Sequence, residues 1–145
     1  MTKKKYANLD CILLIDDDRP TNFYHQLVID EVKIDTSVTA VTSGKDAISF
    51  LTSTNKFTEK REPNPGIIFL DINMPGMNGF DFLEAYEKIS PGNNNKTIVV
   101  MLTTSVNPSD REKAAAYKSV SGFFIKPLTE EMVTEVVSTY FNGLG

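Results

Sequence analysis

Asp16, Asp17 and Asp18 follow the short apolar run Cys11–Ile15, and Asp71 follows Ile67–Leu70. Thr103 and Thr104 follow Ile98–Leu102, and Lys126 follows Phe123–Ile125. Carboxylates crowded together repel one another and cost stability unless a cation neutralises them. A cluster of hard oxygen ligands suits Mg2+, which needs near-octahedral oxygen coordination and keeps some of its waters. An aspartate carboxylate can also act as a nucleophile that takes a phosphoryl group as an acyl phosphate. Lys126 and a metal would together offset the charge on that group. Phosphoryl transfer depends mainly on positioning and charge neutralisation, so this set of residue types suits it.

Residues so far apart in sequence act together only if the fold gathers them. A further apolar run, Val38–Val41, makes five in all, and the first, third and fourth are apolar throughout. Runs without period-2 alternation suit strands buried on both faces of a parallel sheet. Between them lie helical patterns. Asn22–Asp30 is predicted as the first helix, with Phe23, Leu27 and Tyr24 inward; Lys45–Leu51 is the second, with Ala47, Ile48 and Leu51 inward. Phe80–Ile89 is the third, with Phe80, Leu83 and Tyr86 at helical spacing. The fourth starts at the cap Asn107, with Pro108 and Asp110 in its first turn, and runs through Tyr117. The fifth starts at Thr129, with Met132, Val133, Val136, Val137 and Tyr140 as its apolar stripe. Strand and helix alternate five times, which predicts a doubly wound α/β sandwich with right-handed crossovers. Ligands of such sheets bind outside the carboxyl ends of the strands, where all the singled-out residues lie. The polar loops Asn55–Gly66 and Ser90–Lys96 are too short for domain linkers, and no repeat or second domain is visible.

A chain of 145 residues fits one domain with its own core. The formal net charge of -4 argues against a nucleic-acid partner, because phosphate backbones are held by clustered Lys and Arg. The basic run Lys3–Lys5 reads as a solvated end, and residues 1–9 as a flexible segment before a domain spanning 10–145. Cys11–Ile15 is broken off by Asn8 and Asp10 on one side and the aspartates on the other, so it is no signal-peptide core. No apolar run is long enough to span a bilayer, and the single cysteine, Cys11, excludes an internal disulfide. A cytoplasmic location fits these features.

Taken together, LLIDDD, FLDINMPGMNG, VVMLTTS and GFFIKPL resemble the receiver domain of bacterial two-component response regulators, of the stand-alone, chemotaxis-regulator-like kind. The resemblance covers roughly Asp10 to Phe141. It implies a flavodoxin-like sheet of five parallel strands in the order 2-1-3-4-5. It implies that Asp71 takes a phosphoryl group from a histidine kinase or histidine phosphotransfer protein, using Mg2+. Asp17, Asp71 and the backbone carbonyl of Asn73 would ligate the metal, Asp16 would act on it largely through water, and Lys126 would contact the phosphoryl oxygens before a cis Pro127. Thr103 and Phe123 fall on the switch positions, and Asn73 and Ser105 on positions that tune the phosphoryl lifetime. On this reading the Thr103 hydroxyl moves to the phosphoryl group and Phe123 rotates inward, with packing alone setting its state, since phenylalanine has no hydroxyl to leave unpaired. A downstream protein would read the face of the fourth helix, fifth strand and fifth helix. The chain would be a signalling module, not an enzyme acting on an outside metabolite. Asn78-Gly79 stands where the family usually has Asp-Gly, and Asn tolerates the turn.

An alternative is an aspartate-nucleophile phosphatase of the haloacid-dehalogenase type, with Asp16 as nucleophile. Pro20 stands where that motif needs Thr or Val, and there is no room for a cap domain. A phosphorylation-independent interaction domain is disfavoured by the intact acid set. Plainer roles also suit single residues: Asp18 as a helix cap, Phe123 as core, the lone His25 as structural, and Met74, Met77, Met101 and Met132 as packing.

Overall fold

The computed structural model describes residues 2–53, 65–89, 97–104 and 107–144. The strands are β1 (Cys11–Ile15), β2 (Ser37–Val41), β3 (Ile67–Asp71), β4 (Ile98–Thr103) and β5 (Val120–Ile125). The helices are α1 (Arg19–Glu31), α2 (Gly44–Ser53), α3 (Gly79–Ile89), α4 (Pro108–Ala115) and α5 (Glu130–Tyr140). All strand pairings are parallel, in the order β2-β1-β3-β4-β5. This is the doubly wound, flavodoxin-like α/β sheet expected from the sequence.

The wholly apolar runs are the central strands. Every residue of β1 and β3 is buried, and so is all of β4 past Ile98, whereas the edge strands β2 and β5 are only partly covered. Alternate side chains feed two cores. Ile12 and Leu14 pack with Val28, Ile29, Val133 and Val137 beneath α1 and α5. Leu13 and Ile15 pack with Ala47, Leu51, Phe82 and Leu83 on the face of α2 and α3. Each such buried Val, Leu, Ile or Phe side chain stabilises the fold by about 1.5–3 kcal/mol relative to exposure.

β5 begins three residues earlier than its apolar run. Its pairing with β4 shifts register between Val99 and Val100, which face Val120 and Gly122, so Ser121 is an extra residue. A bulge of this kind breaks the apolar pattern while the strand continues.

The phase of α1 differs from expectation. Phe23, Tyr24 and Leu27 are exposed, and the buried residues are Asn22, His25, Val28 and Ile29. Polar hydrogen bonds set that phase: Asn22 Nδ2 donates to the Asp16 and Val41 carbonyls at 2.9 and 3.2 Å. Tyr140 of α5 is likewise exposed, and its hydroxyl donates to the Ser121 carbonyl.

Residues 4–9 of the segment read as flexible, 1–9, are tied to the domain. Lys4 bridges to Ile34, Tyr6 pairs with Gly143, and Leu9 is fully buried. Leu144 N–H donates to the Lys5 carbonyl at 2.8 Å. Leu9 supplies the apolar anchor that a count of the neighbouring lysines misses.

Candidate functional site

The carboxyl ends of β1, β3, β4 and β5 bring together Asp16, Asp71, Thr103 and Lys126. Register sets the alignment: Asp71 lies opposite Leu102 on β4, so Thr103 is one residue further along the neighbouring strand, and Thr103 in turn lies opposite Ile125. Asp16, Asp71 and Thr103 are buried, while Asp17 is exposed at the mouth.

Lys126 is the cation at the centre. Its Nζ lies 2.9 Å from Asp71 Oδ1 and 2.5 Å from Asp16 Oδ2, with its side chain only 13% exposed. Its main chain is fixed too, because Lys126 N–H donates to the Thr103 carbonyl at 2.8 Å. The Lys126–Pro127 peptide bond is cis. Asp16 Oδ1 accepts from Asp18 N–H at 2.9 Å, so both of its oxygens are engaged.

Among the described residues, negative charge at this edge exceeds positive. Asp16, Asp17 and Asp71 each present a carboxylate oxygen within 4.8 Å of the others, against the ammonium of Lys126. Burial pushes the Asp71 carboxyl above its ordinary value; Lys126 opposes this, and the charges of Asp16 and Asp17 add to it. For Lys126, burial disfavours the ammonium, yet hydrogen bonds to Asp16 and Asp71 outweigh it and raise its pKa. A pocket of hard oxygen ligands with surplus negative charge fits a small divalent cation such as Mg2+. Softer donors take no part, since Cys11 is buried within β1 and His25 binds elsewhere.

Asp18 belongs to the helix rather than to this cluster. It caps α1, its carboxylate accepting from the Thr21 hydroxyl and the Thr21 N–H, and these bonds hold its carboxyl below the ordinary range. The cap fixes where α1 starts beside the site.

Past β3 the chain must turn sharply. Asn78 and Asp81 cap α3 reciprocally: Asp81 N–H donates to Asn78 Oδ1 at 2.9 Å, and Asn78 N–H to Asp81 Oδ2 at 3.1 Å. Gly79 N–H donates to the Ile72 carbonyl at 2.8 Å. A Cβ on Gly79 would sit 2.6 Å from the Asp71 carbonyl oxygen and 2.9 Å from Ile72 Cα. The glycine therefore lets α3 abut the end of β3.

The other predicted residues are distributed as follows. Asn73 is exposed two residues past Asp71, and Thr104 is exposed beside Lys126. Ser105 lies outside the described residues, as do 54–64 and 90–96. Phe123 is half-buried, and the Arg111 guanidinium lies 4.8 Å over its ring. Packing alone therefore does not set its state, because a cation on a ring face is attracted by the ring quadrupole.

Near the site, Asn22 escaped the sequence reading, and His25 was read as structural without a partner. Asn22 and His25 face inward from α1; their signal was a polar pair at i, i+3, which an apolar-face rule discards. His25 Nε2 accepts from Leu128 N–H at 3.3 Å. Burial holds its imidazole below the ordinary pKa.

Comparison with known proteins points to one family. The family model described as the response regulator receiver domain matches residues 12–138. A two-component response regulator of Oryza sativa subsp. japonica is 29% identical over 126 residues, covering 79% of this chain and 86% of that one. Protein PilH of Pseudomonas aeruginosa is 24% identical over 131 residues, covering 90% and 98%. Among solved structures, a two-component response regulator from Cytophaga hutchinsonii superposes with a TM-score of 0.79 at 33% identity, covering 91% of this chain and 96% of that one.

Proposed function

Because this chain belongs to the response regulator receiver family, whose members accept a phosphoryl group in two-component signalling, we propose that Asp71 is its phosphoacceptor. The observation that carries this is the shared ammonium of Lys126, which holds Asp71 and Asp16 together at the carboxyl edge. An Asp71 carboxylate oxygen attacks phosphorus, a new O–P bond forms, and the donor's N–P or O–P bond breaks with its electron pair leaving on the donor. The Lys126 ammonium then pairs with the phosphoryl oxygens and offsets their charge.

The acidic pocket suits Mg2+ held by Asp17, Asp71 and the Asn73 carbonyl, with Asp16 acting largely through water. When bound, the ion supplies charge neutralisation for the crowded carboxylates and the incoming phosphoryl group. The donor is a histidine kinase or histidine phosphotransfer protein, and the chain works in the cytoplasm as a signalling module. Among the described residues no helix is long and apolar enough to cross a membrane.

Thr103 and Phe123 form the switch. A phosphoryl group adds about -1.5 to -2 charges and strong acceptor oxygens at neutral pH. Thr103, one strand away, donates its hydroxyl to one of them, and Phe123 responds on β5. The output face is α4, β5 and α5. α4 suits this role because it buries only Ala114. Its neighbourhood is held by Arg111 over Phe123, Lys113 over Phe80, and the Tyr117 hydroxyl on Glu84.

The haloacid-dehalogenase alternative finds no support, since the family match is to response regulators and Asp16 has both oxygens engaged. Acetyl phosphate with Mg2+ should label the protein once, and Asp71→Asn should abolish the label. Labelling that survives in that variant, or is lost only with Asp16→Asn, refutes the assignment.

A further inference from the structure

We propose that His25 is a positioning residue for the Lys126 ammonium, acting through the main chain of Leu128. The proposal rests on the reading above, that Lys126 contacts the phosphoryl group. Lys126 has its own N–H pinned to the Thr103 carbonyl. The next residue, Pro127, has no N–H to anchor. The first main-chain donor beyond Lys126 is therefore Leu128 N–H, and the group that accepts from it is His25 Nε2, 103 residues away on α1. Both partners are buried, His25 at 2% exposure and Leu128 at 0%. With water excluded, that donor has no easy substitute.

The segment Lys126–Leu128 thus hangs between two anchors, β4 on one side and the α1 imidazole on the other. Removing the second anchor frees the chain on which the ammonium rides. The imidazole also forms part of the wall of a cavity of about 380 Å³ that it shares with Tyr24, Thr104, Lys126 and Pro127. Displacement of Lys126 and Pro127 toward it would therefore meet open space, while the Leu128 side chain stays packed in the core. Acceptance at Nε2 requires the neutral ring with its proton on Nδ1. A leucine would fill much of the same volume and accept nothing, whereas the side-chain oxygen of glutamine reaches about as far as Nε2.

The test uses the full chain with His25→Leu, His25→Gln and, alongside, Lys126→Ala. Three quantities are read: the rate of labelling by acetyl phosphate at saturating Mg2+, the affinity for beryllofluoride, and the affinity for Mg2+ alone. His25→Leu should lower the labelling rate and the beryllofluoride affinity by about tenfold to a hundredfold, the scale of an ångström-sized misplacement. Its Mg2+ affinity should stay at the wild-type value, and His25→Gln should restore most of the lost rate. A wild-type rate in His25→Leu, a parallel loss of Mg2+ affinity, or no rescue by glutamine overturns the proposal. If Lys126→Ala keeps its rate, the reading of Lys126 itself falls and this proposal with it. If Lys126→Ala is slow and His25→Leu is not, only the positioning role falls. Should His25→Leu not fold, wild-type NMR decides: a through-hydrogen-bond coupling between Leu128 N and His25 Nε2 that persists with beryllofluoride supports the proposal, and its absence overturns it.

Discussion

Replacing Gly79 with alanine separates helix propensity from the geometry of the β3–α3 turn. At an ordinary helical position Gly→Ala stabilises by up to about 1 kcal/mol. The φ of Gly79 is not in the left-handed region, so alanine meets no backbone strain there. The added Cβ, however, falls 2.6 Å from the Asp71 carbonyl oxygen and 2.9 Å from Ile72 Cα, both main-chain atoms. Only the Met101 methyl, at 3.2 Å, could yield cheaply. Overpacking of this kind costs about 1–3 kcal/mol, and contact with backbone favours the upper part of that range. The net expectation is a loss of about 2 kcal/mol, or a Tm lower by roughly 4–8 °C for a chain of this length. Relief must come from moving α3 or the main chain of Asp71 itself. The labelling rate with acetyl phosphate at saturating Mg2+ should therefore fall, by up to about a hundredfold for a shift near 1 Å. Thermal melting and the labelling time course measure the two effects. A Tm that rises refutes the close-approach argument. A Tm that falls while labelling stays at the wild-type rate refutes the link between this turn and the placement of Asp71.

Asp17→Ala should weaken Mg2+ binding by about tenfold or more. It should also raise Tm in metal-free buffer, because the Asp17 charge disfavours ionisation of buried Asp71. Asp18→Ala should leave the metal affinity in place and lower Tm through the lost α1 cap, and calorimetric titration with melting distinguishes the two variants. Beryllofluoride should shift NMR signals at Phe123 and along α5 in wild type, and Thr103→Ala should remove most of that distant response. Arg111→Ala should alter the balance of Phe123 states by roughly two- to fivefold, the equivalent of about 0.5–1 kcal/mol for an exposed cation–ring contact. An unchanged shift pattern would show that the guanidinium does not bias the ring. His25, with its pKa below the ordinary 6.5, contributes stability that is fully present above that value. The contribution is lost as pH falls through 6.5 toward the folded-state value, because the unfolded chain takes up the proton first. Urea midpoints between pH 7.5 and 5.5 should fall less in His25→Gln than in wild type, and equal slopes would contradict this.

The central strands were readable because burial on both faces leaves an uninterrupted apolar run, and the residues just past such runs had to share one edge. That logic located Asp16, Asp71, Thr103 and Lys126 together. The phase of α1 was not readable by the same rule. Phe23, Tyr24 and Leu27 are apolar but exposed, whereas Val28 and Ile29 turn inward beside Asn22, which donates to carbonyls at the strand ends. The start of β5 was hidden by the extra Ser121. The closeness of Gly79 to Asp71 depends on two main chains meeting in space, which composition does not encode. The ring contact of Arg111 with Phe123 joins residues twelve apart on different elements, and only the packing of α4 against β5 brings them together.

The hydrogen bond between Leu144 and Lys5 has a practical consequence. It puts both ends of the described chain side by side, near the strand starts and away from the carboxyl edge. An affinity tag, a fluorophore or a second protein grafted at either end would depart from the same pole. Such a graft would not shadow the approach of a phosphodonor. Two dyes, one at each end, would report the unlacing of that pole by a fall in energy transfer while the crevice itself stays unlabelled.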